Sequence, residues 1–520
     1  MVGKLLDRRQ FNAGLMAGGL MAGLGPLGLR AARASTPQRG GSYTLAVRGG
    51  NTAESLDPAT YGTGIINHFM TGAIGNCLAE VDASGAAVPE LAEFWEPSPD
   101  ARIWTFRLRS GVTFHNGKSL TADDVIASFN HHRGDETNSG GKSLLDGVTD
   151  IRKDDDLTVV FELATGNADF PFVTSEYFFV IFPDVDGKPD WQEGVSTGGY
   201  KLVEFEPGVR YVGERNPDYW KEGRAHFDRV QVLSINDQTA RTNALVTGEV
   251  DAIGGVDLST VALLQRDSNI NIHAVTGTQH YTMPMFTDTA PFDDPNVRLA
   301  LKYAINREQL VETLLSGYGQ VGNDSPITPA NRFFNSEMEQ RAYDPDRARF
   351  HLGEAGLDSL SVQLHCADAA FPGAVDAAVL FAESAAAAGV KIEVVREPDD
   401  GYWSNVWLKK PFCTAFWSGR PTEDLMFSTG YAAEAPWNDA RWANDRFNEL
   451  LVQARTELDT DTRRDMYWEM QEIVKDDGGT VIPVYAQYVF ATRTGVGHDA
   501  LGANRDVDGW KSMERWWRES

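Results

Sequence analysis

Alternating apolar and polar residues predict a series of short β-strands. From Ile103 onward, Trp104, Phe106 and Leu108 fall on one face of an extended segment, with polar residues between them. Other strands are predicted at Tyr43–Val47, Val112–Phe114, Tyr200–Phe205, Val209–Val212, Val230–Ile235 and Val481–Tyr485. Turn residues such as Asn116-Gly117 separate several of these segments, which is typical of β-hairpins.

Helical spacing and capping residues predict α-helices between the strands. Asp294-Pro295 predicts a helix start with proline in the first turn, and Val297 and Leu301 follow at helical spacing. Thr121 with Asp124 forms a variant of the capping box ahead of another helix. Two further helices are predicted, one at Thr239–Thr247 that stops at Gly248 and one that Asn306 caps and that ends near Gly317.

The region after Ser361 predicts a βαβ unit. Val362 and Leu364 lie in a strand, a helix follows at Val375–Ala388, and Ile392 begins the second strand. A strand, a crossover helix and a second strand imply parallel pairing. Together with the hairpins, this unit predicts an α/β fold.

The length of the chain indicates the number of domains, and its net charge limits the kinds of partner it can bind. The 520 residues predict about three domains. The 47 Lys and Arg residues against 74 Asp and Glu residues give a net charge of −27. Such an acidic surface repels phosphate backbones and anionic membrane surfaces, so no nucleic-acid partner is expected.

The first 34 residues resemble an export signal. Arg8 and Arg9 precede a weakly apolar, glycine-rich stretch that ends in the small-x-small sequence Ala32-Arg33-Ala34. This pattern predicts export by the twin-arginine route to the periplasm. The first cysteine is Cys77, so no lipid anchor is expected and the mature chain is predicted to be soluble.

The cysteines and the search for catalytic motifs give no indication of an enzyme or a metal site. A Cys366–Cys413 bridge is possible in an oxidising compartment, but unpaired core cysteines are the favoured interpretation. No zinc spacing, nucleophile elbow or H-E-x-x-H motif occurs, and Glu136 stands where a phosphate loop requires glycine. We therefore expect no enzyme activity, no metal and no cofactor.

Six motifs, in order along residues 43 to 492, resemble one family. They are Glu54–Pro58, Trp104–Arg109 with Phe114–Gly117 and Leu120–Val125, Ser196–Leu202, Asn216–Trp220, Asp294–Arg298 with Ala304–Arg307, and Trp417–Arg420. Together they resemble the extracytoplasmic solute-binding proteins, family 5, which serve peptide, opine and nickel ABC importers. Gly199 departs from the family, which usually has proline there.

The resemblance implies a two-lobed periplasmic binding protein of class II, cluster C type, with an extra domain in the first lobe. The expected divisions are lobe I at 41–76, 197–286 and 494–520, the extra domain at 77–196, and lobe II at 287–493. The partner would be an ABC permease with separate ATPase subunits, and a monomer is expected. An opine-type receptor and a nickel or metal-chelate carrier are alternatives, and an exported hydrolase is a remote one.

Arg420 is the leading candidate for ligand contact. In peptide-binding members of the family an aspartate at this place pairs with the ligand's ammonium, so the resemblance implies a change of charge preference here. A guanidinium holds a carboxylate through two parallel hydrogen bonds. The alternative is that Arg420 pairs with a nearby acid such as Glu423 or Asp424. A small peptide-like or amino-acid-conjugate solute with a carboxylate is the expected ligand.

Other candidates surround this position or lie in the opposite lobe. The neighbours in sequence are Trp417, Ser418 and Gly419. Aromatic and polar residues from other segments complete the predicted ligand-binding set: Tyr431, Trp437, Tyr281, His280, Tyr61, His68 and Asn76.

Overall fold

The computed structural model describes residues 37–134, 136–399, 401–418, 420–435 and 437–519. The predicted export signal, residues 1–34, lies outside these ranges. Within them, no helix has the length and apolar character needed to cross a bilayer.

The first 230 or so described residues form thirteen strands and five α-helices. The strands are β1 Ser42–Val47, β2 Ala79–Val81, β3 Ala87–Pro89, β4 Ala92–Pro97, β5 Ile103–Leu108, β6 Val148–Asp155, β7 Thr158–Leu163, β8 Asp184–Val185, β9 Lys188–Pro189, β10 Tyr200–Glu206, β11 Arg210–Arg215, β12 Arg229–Ser234 and β13 Ala252–Ile253. The helices are α1 Gly64–Phe69, α2 Ala122–Asn130, α3 Phe170–Val173, α4 Gln238–Thr247 and α5 Val261–Leu264.

The remaining residues add two long strands, several short ones and most of the helices. The strands are β14 Ile270–Pro284, β15 Gly319–Val321, β16 Leu360–Cys366, β17 Val390–Arg396, β18 Ala415–Trp417, β19 Thr480–Arg493, β20 Val496–Gly497 and β21 Trp517–Arg518. The helices are α6 Pro295–Ala304, α7 Arg307–Leu314, α8 Pro345–Glu354, α9 Ala374–Ala386, α10 Tyr402–Asn405, α11 Glu423–Gly430, α12 Asp445–Thr456, α13 Thr460–Asp477, α14 Asp506–Gly509 and α15 Ser512–Arg515.

Buried apolar residues separate into two groups. Residues 43–270 and 489–516 supply two adjoining clusters, which define the first half of the molecule. Residues 281–486 supply two others, which define the second half. β14 and β19 pair with each other and run from one half into the other. These two strands are therefore the covalent connection between the halves.

The largest sheet contains strands from both halves, whereas two smaller sheets each belong to one half. A nine-stranded sheet has the order β10-β11-β12-β1-β13-β19-β14-β18, with β15 beside β19. A separate antiparallel sheet, β4-β5-β7-β6, belongs to the first half. β16 and β17 pair in parallel and α9 packs on them, which confirms the predicted βαβ unit.

Most capping predictions are confirmed. The Asp294 carboxylate accepts from the backbone N–H of Asn296 at 2.8 Å and begins α6. The Asn306 side chain likewise caps α7. Gly248 ends α4 with φ of 82°, the left-handed conformation that glycine adopts without a Cβ clash.

One strand prediction was wrong, and the favoured interpretation of the cysteines is confirmed. Residues 112–114 form no strand, because the tight Asn116-Gly117 turn leaves only an isolated bridge between Thr113 and Ser119. The thiols of Cys77, Cys366 and Cys413 are free and buried.

Candidate functional site

The site lies where the long strands pass between the two halves. The β14–β19 register shifts between Thr276 and His280, so the ladder is interrupted at the crossing. Beyond the shift, His280 pairs with Trp417 of β18. This pairing places the end of β18, and the chain that follows it, beside the crossing.

Arg420 sits on an aromatic surface after β18. Its guanidinium carbon lies 5.5 Å from the ring centroid of Trp417 and 6.0 Å from that of Trp437. One guanidinium nitrogen lies 3.5 Å from the hydroxyl of Ser418. Cation–π contacts of this kind help to orient an arginine side chain. Gly419, another predicted contact, lies outside the described residues.

The electrostatic surroundings of Arg420 disfavour its positive charge. Burial lowers the pKa of the guanidinium, and the nearby positive charge of Arg505 lowers it further. Glu176 and Tyr177 act in the opposite direction without restoring the usual pKa. An additional anion near Arg420 would therefore be favourable.

The facing wall comes from the first half. The Arg505 Nη2 donates to both carboxylate oxygens of Glu176, at 2.9 and 3.2 Å. The Arg505 guanidinium also lies 5.2 Å from the Trp510 ring and 5.9 Å from the Tyr177 ring. These four residues line one cavity together with Pro421, the residue after Arg420. The cavity therefore brings both halves together at one place.

A left-handed backbone turn presents Trp510 to this cavity. Val507, Asp508 and Trp510 have φ of 46°, 62° and 66°, which is rare for residues with a side chain and costly for a β-branched one. The Asp508 carboxylate accepts from the backbone N–H of Gly502 at 2.7 Å and from the indole of Trp516 at 2.9 Å. These bonds hold a strained conformation of the kind that occurs at functional sites.

The floor of the cavity contains an ion-pair network, here called the floor cluster. Carboxylate oxygens of Glu80, Glu90 and Glu514 lie within 4.8 Å of one another. Three acids this close can hold a cation, and in this structure the cation is the Lys221 ammonium, at 3.1, 2.8 and 2.9 Å. Lys511 also contacts Glu90, at 3.0 Å. The floor cluster is therefore a set of ion pairs.

The structure brings together the predicted residues around β18. Trp417, Ser418, Arg420 and Trp437 form one surface, and His280 lies beside it in the sheet. His280 is fully buried, and burial lowers its pKa to about 4, with the Arg420 charge acting in the same direction. Its imidazole is therefore neutral at physiological pH.

The other predicted second-half residues pack away from this surface. The Tyr281 ring stacks on Phe371 at 4.0 Å within the core of the second half. Tyr431 is buried against Phe427 in the neighbouring cluster. Both side chains contribute to packing of the second half.

The predicted first-half residues are also buried. Tyr61 donates its hydroxyl to the carbonyl of Leu56. His68 lies behind the cavity wall, with its ring 5.9 Å from that of Trp510. Asn76 donates its amide to the floor cluster. These three residues belong to the support of the wall, while Trp510 and Tyr177 line the cavity itself.

Sequence reasoning missed the wall residues of the first half. Glu176, Tyr177, Arg505 and Trp510 belong to none of the six motifs, and the first two are more than 300 residues from the others along the chain. One signal was present in the tail, where residues 505–518 contain three arginines and three tryptophans. Such a concentration of arginine and tryptophan is typical of a binding surface.

Asp439 supports the aromatic surface from behind and gives a pH-dependent prediction. Burial raises the pKa of its carboxyl group to about 7, although the indole N–H groups of Trp407 and Trp417 lower it. In the unfolded chain an aspartate ionises near pH 4. Between these values the folded state binds the extra proton, so this group's contribution to stability falls as the pH rises.

We expect Asp439→Asn to become more stable relative to the wild type at higher pH. The difference in unfolding free energy between variant and wild type should shift in the variant's favour by about 2 kcal/mol between pH 5 and pH 8. Urea denaturation of both proteins at the two pH values measures it. A difference that does not change with pH would show that Asp439 is already ionised at pH 5.

Comparison with known proteins gives a family match over most of the chain. The model described as "Bacterial extracellular solute-binding proteins, family 5 Middle" matches residues 86–439. Di/tripeptide-binding protein 2 of Pseudomonas aeruginosa is 27% identical over 481 residues, which cover 83% of this chain and 87% of that protein. Heme-binding protein A of Haemophilus influenzae is 28% identical over 439 residues, covering 78% and 79% respectively.

Solved structures confirm the predicted fold. HbpA2 from Haemophilus parasuis superposes with a TM-score of 0.81 at 22% identity, covering 92% of this chain and all of that one. The fold is thus the two-lobed α/β fold of the binding proteins that the six motifs resemble.

Proposed function

The chain belongs to family 5 of the bacterial extracellular solute-binding proteins, and from this we propose that it is the receptor of an ABC importer. It captures a small peptide-like or amino-acid-conjugate solute, and Arg420 holds the solute's carboxylate. The named relatives bind di- and tripeptides or heme, so the family accommodates several kinds of solute. The observation that carries the carboxylate assignment is the position of the Arg420 guanidinium on the Trp417 and Trp437 rings, next to Pro421, which lines the cavity.

Charge chemistry supports this assignment. Burial and the nearby Arg505 make the Arg420 charge costly, and a carboxylate would offset that cost directly. An ammonium group at the same place would add a third positive charge. The proposed cargo therefore presents an acid, not an amine, to this arginine.

In this proposal the two connecting strands act as a hinge between the halves. β14 and β19 join the halves, and their ladder is interrupted at the crossing. Small backbone rotations there would let the halves close over a ligand that contacts both. A permease with separate ATPase subunits would then receive the closed form and supply the energy for transport.

The division into domains is part of the same proposal. Lobe I would comprise 41–76, 197–286 and 494–520, with the extra domain at 77–196 and lobe II at 287–493. The buried clusters of 43–270 with 489–516, and of 281–486, support this division. Export to the periplasm by the twin-arginine route, without a lipid anchor, completes the proposal.

Calorimetry on Arg420→Ala tests the function. Native mass spectrometry of the purified protein, followed by titration with di- and tripeptides and N-acyl amino acids, should identify a solute that binds the wild type. Loss of a charge-assisted hydrogen bond of about 1.5–3 kcal/mol should weaken binding of that solute tenfold or more. Arg446→Ala removes an exposed arginine paired with Glu469 and serves as the control.

Two results would count against the proposal. If no peptide-like or conjugated amino acid binds the wild type, the solute class is wrong. If such a solute binds equally well to the Arg420→Ala and Arg446→Ala variants, Arg420 does not hold its carboxylate.

A further inference from the structure

Resting on the proposed function, we propose that the cleft contains a second subsite, which takes an uncharged side chain of the cargo that bears a carboxamide or a hydroxyl group. This neutral subsite is the cavity lined by Ser84, Thr278, Ala330 and Asn504. Thr278 and Asn504 are its specificity-determining residues. The cargo class that follows is a short peptide or amino-acid conjugate with a neutral polar residue such as glutamine, in preference to lysine or glutamate, at that position.

The neutral subsite adjoins the cavity that contains Arg505 and Trp510. Both cavities are lined by Val81, Pro421 and Asn504, so one ligand can extend through both. The first half, the crossing strand β14 and the second half all contribute to the lining. The volume of the neutral subsite is about 250 Å³. Since each water molecule in the liquid takes about 30 Å³, this space is sufficient for an amino-acid side chain.

The two adjoining cavities differ in charge. The cavity at Arg505 is lined by acids and bases, whereas none of the thirteen described residues that line the neutral subsite is charged or aromatic. Asp82 lies in the same β2–β3 turn, but its carboxylate accepts from the backbone N–H groups of Ser84 and Ala86 and from the Ser84 hydroxyl, at 2.6–3.0 Å. An ionised cargo side chain would therefore lose water in this cavity without gaining a counter-charge, which is unfavourable.

Thr278 contributes a hydroxyl group at the crossing between the halves. It lies between Thr276 and His280, where the β14–β19 ladder is interrupted. Thr278 is 6% exposed, and its hydroxyl has no hydrogen-bond partner in the described part of the chain, whereas the Thr276 hydroxyl accepts from Gln487. Hydroxyl groups that are buried this deeply normally have a partner. Because Thr278 lines the neutral subsite, a polar group of the cargo can supply that partner.

Asn504 contributes a carboxamide where the two cavities meet. Its Oδ1 is shielded from solvent, and a Cβ on Gly509 would lie only 2.5 Å from this atom. The Nδ2 group is therefore the polar part of the side chain that is left to face the cavities, and it donates to none of the described residues. Two N–H donors of Asn504 and the hydroxyl of Thr278 together suit a carboxamide or hydroxyl oxygen.

Four dipeptides test the ligand class on the wild-type protein: alanyl-glutamine, alanyl-glutamate, alanyl-lysine and alanyl-methionine, each also in the reversed order. Their side chains are similar in length and differ in charge and hydrogen bonding. In at least one of the two orders, we expect calorimetry to show that the glutamine peptide binds about tenfold or more tightly than the lysine peptide, and about threefold or more tightly than the other two. Failure of this ranking in both orders would overturn the inference.

Removal of the two polar groups tests their roles. Thr278→Val and Asn504→Ala should each weaken binding of the glutamine peptide about threefold or more and change that of the methionine peptide less than about twofold. Because the Thr278 hydroxyl has no internal partner, Thr278→Val should melt no lower than the wild type. Thr149→Val, which removes an exposed hydroxyl that donates to Glu162, is the control. Equal losses for the two peptides would refute the role of these residues in specificity.

A charge placed in the neutral subsite tests the ligand class in the opposite direction. Ala83 is an exposed residue of the β2–β3 turn that lines the subsite, so a substitution there leaves the buried core intact. Ala83→Asp should shift the ratio of affinities about threefold or more toward the lysine peptide and away from the glutamine peptide, relative to the matched Ala83→Asn. An unchanged ratio would show that the cargo side chain does not enter this cavity. If Thr278→Val or Asn504→Ala fails to fold, the Ala83 pair decides the outcome.

Failure of this inference is distinguishable from failure of the proposed function. If the wild type binds a peptide-like solute in an Arg420-dependent way, but shows no preference for the glutamine peptide in either order or binds none of the eight dipeptides, the inference alone is wrong. If the wild type binds neither the dipeptides nor any solute from the wider panel of peptides and N-acyl amino acids, both are wrong.

Discussion

Replacement of Asp169 by alanine is expected to lower the free energy of unfolding by about 3–5 kcal/mol, because it leaves a buried guanidinium without its acid. Arg463 donates to both carboxylate oxygens of Asp169 at 2.6 Å, and both side chains are 4% exposed. Arg332 adds a contact at 3.2 Å. Burial alone would raise the pKa of Asp169, but Arg463 and Arg332 hold it below its usual range.

The effect should extend to the cooperativity of unfolding. Asp169 precedes Phe170, which belongs to the core of the first half. Arg463 contacts Tyr467, which belongs to the core of the second half. The ion pair therefore joins the halves at a point separate from the two connecting strands. Without it, the halves should unfold in less closely coupled steps and broaden the urea transition.

An exposed pair provides the control for this measurement. Asp155 contacts Arg107 at 2.9 Å, with 59% and 37% of the two side chains exposed. Asp155→Ala should cost far less than Asp169→Ala, since water screens the pair. Urea denaturation of the two variants compares them directly. A loss for Asp169→Ala no greater than for Asp155→Ala would mean that water reaches Arg463 when its partner is removed.

Local signals in the sequence predicted the elements whose ends they determine. Asp294 and Asn306 cap helices because their side chains reach backbone N–H groups two or three residues ahead, which is an interaction within a single turn. The βαβ unit was predictable for a similar reason. Its strands and helix carry distinct apolar spacing over about 35 residues.

The strands that connect the halves were not predictable in the same way. β19 spans 14 residues, although only Val481–Tyr485 was predicted, and β14 spans 15 residues and was not predicted. Most of β19 is buried on both faces, so its apolar residues do not alternate with polar ones. β14 contains several threonines and histidines, whose burial is decided by the partner strand.

The residues of the candidate site differ in the same way in how far the sequence predicts them. The Trp417–Arg420 segment was found because it forms a continuous motif. Arg505 and Glu176 were missed because their meeting depends on the tail folding back onto a segment 329 residues earlier in the chain. A single sequence contains no local pattern for such a contact.

The second prediction with a large expected effect concerns Asp324, which lies in the second half of the molecule. Its carboxylate accepts from Arg307 at 2.8 Å through both oxygens and from the backbone N–H of Ile482 at 2.9 Å. It also forms an ion pair with Arg341 at 3.0 Å. The side chains of the two arginines and Asp324 are at most 2% exposed. Burial alone would raise the pKa of Asp324, but Arg307, Lys302 and Arg341 hold it below its usual value.

Asp324→Ala is therefore expected to lower the free energy of unfolding by about 3–5 kcal/mol, because two buried guanidiniums lose their counter-charge and a strand N–H of β19 loses its acceptor. Asp288→Ala removes an exposed acid that lies 3.3 Å from Arg441 and should cost less than about 1 kcal/mol. Since Ile482 is in a strand that leads to the crossing, hydrogen exchange of β19 amides should also become faster in Asp324→Ala. Unchanged exchange together with a loss below 1 kcal/mol would show that the two arginines find water or other acceptors, and that Asp324 does not anchor β19.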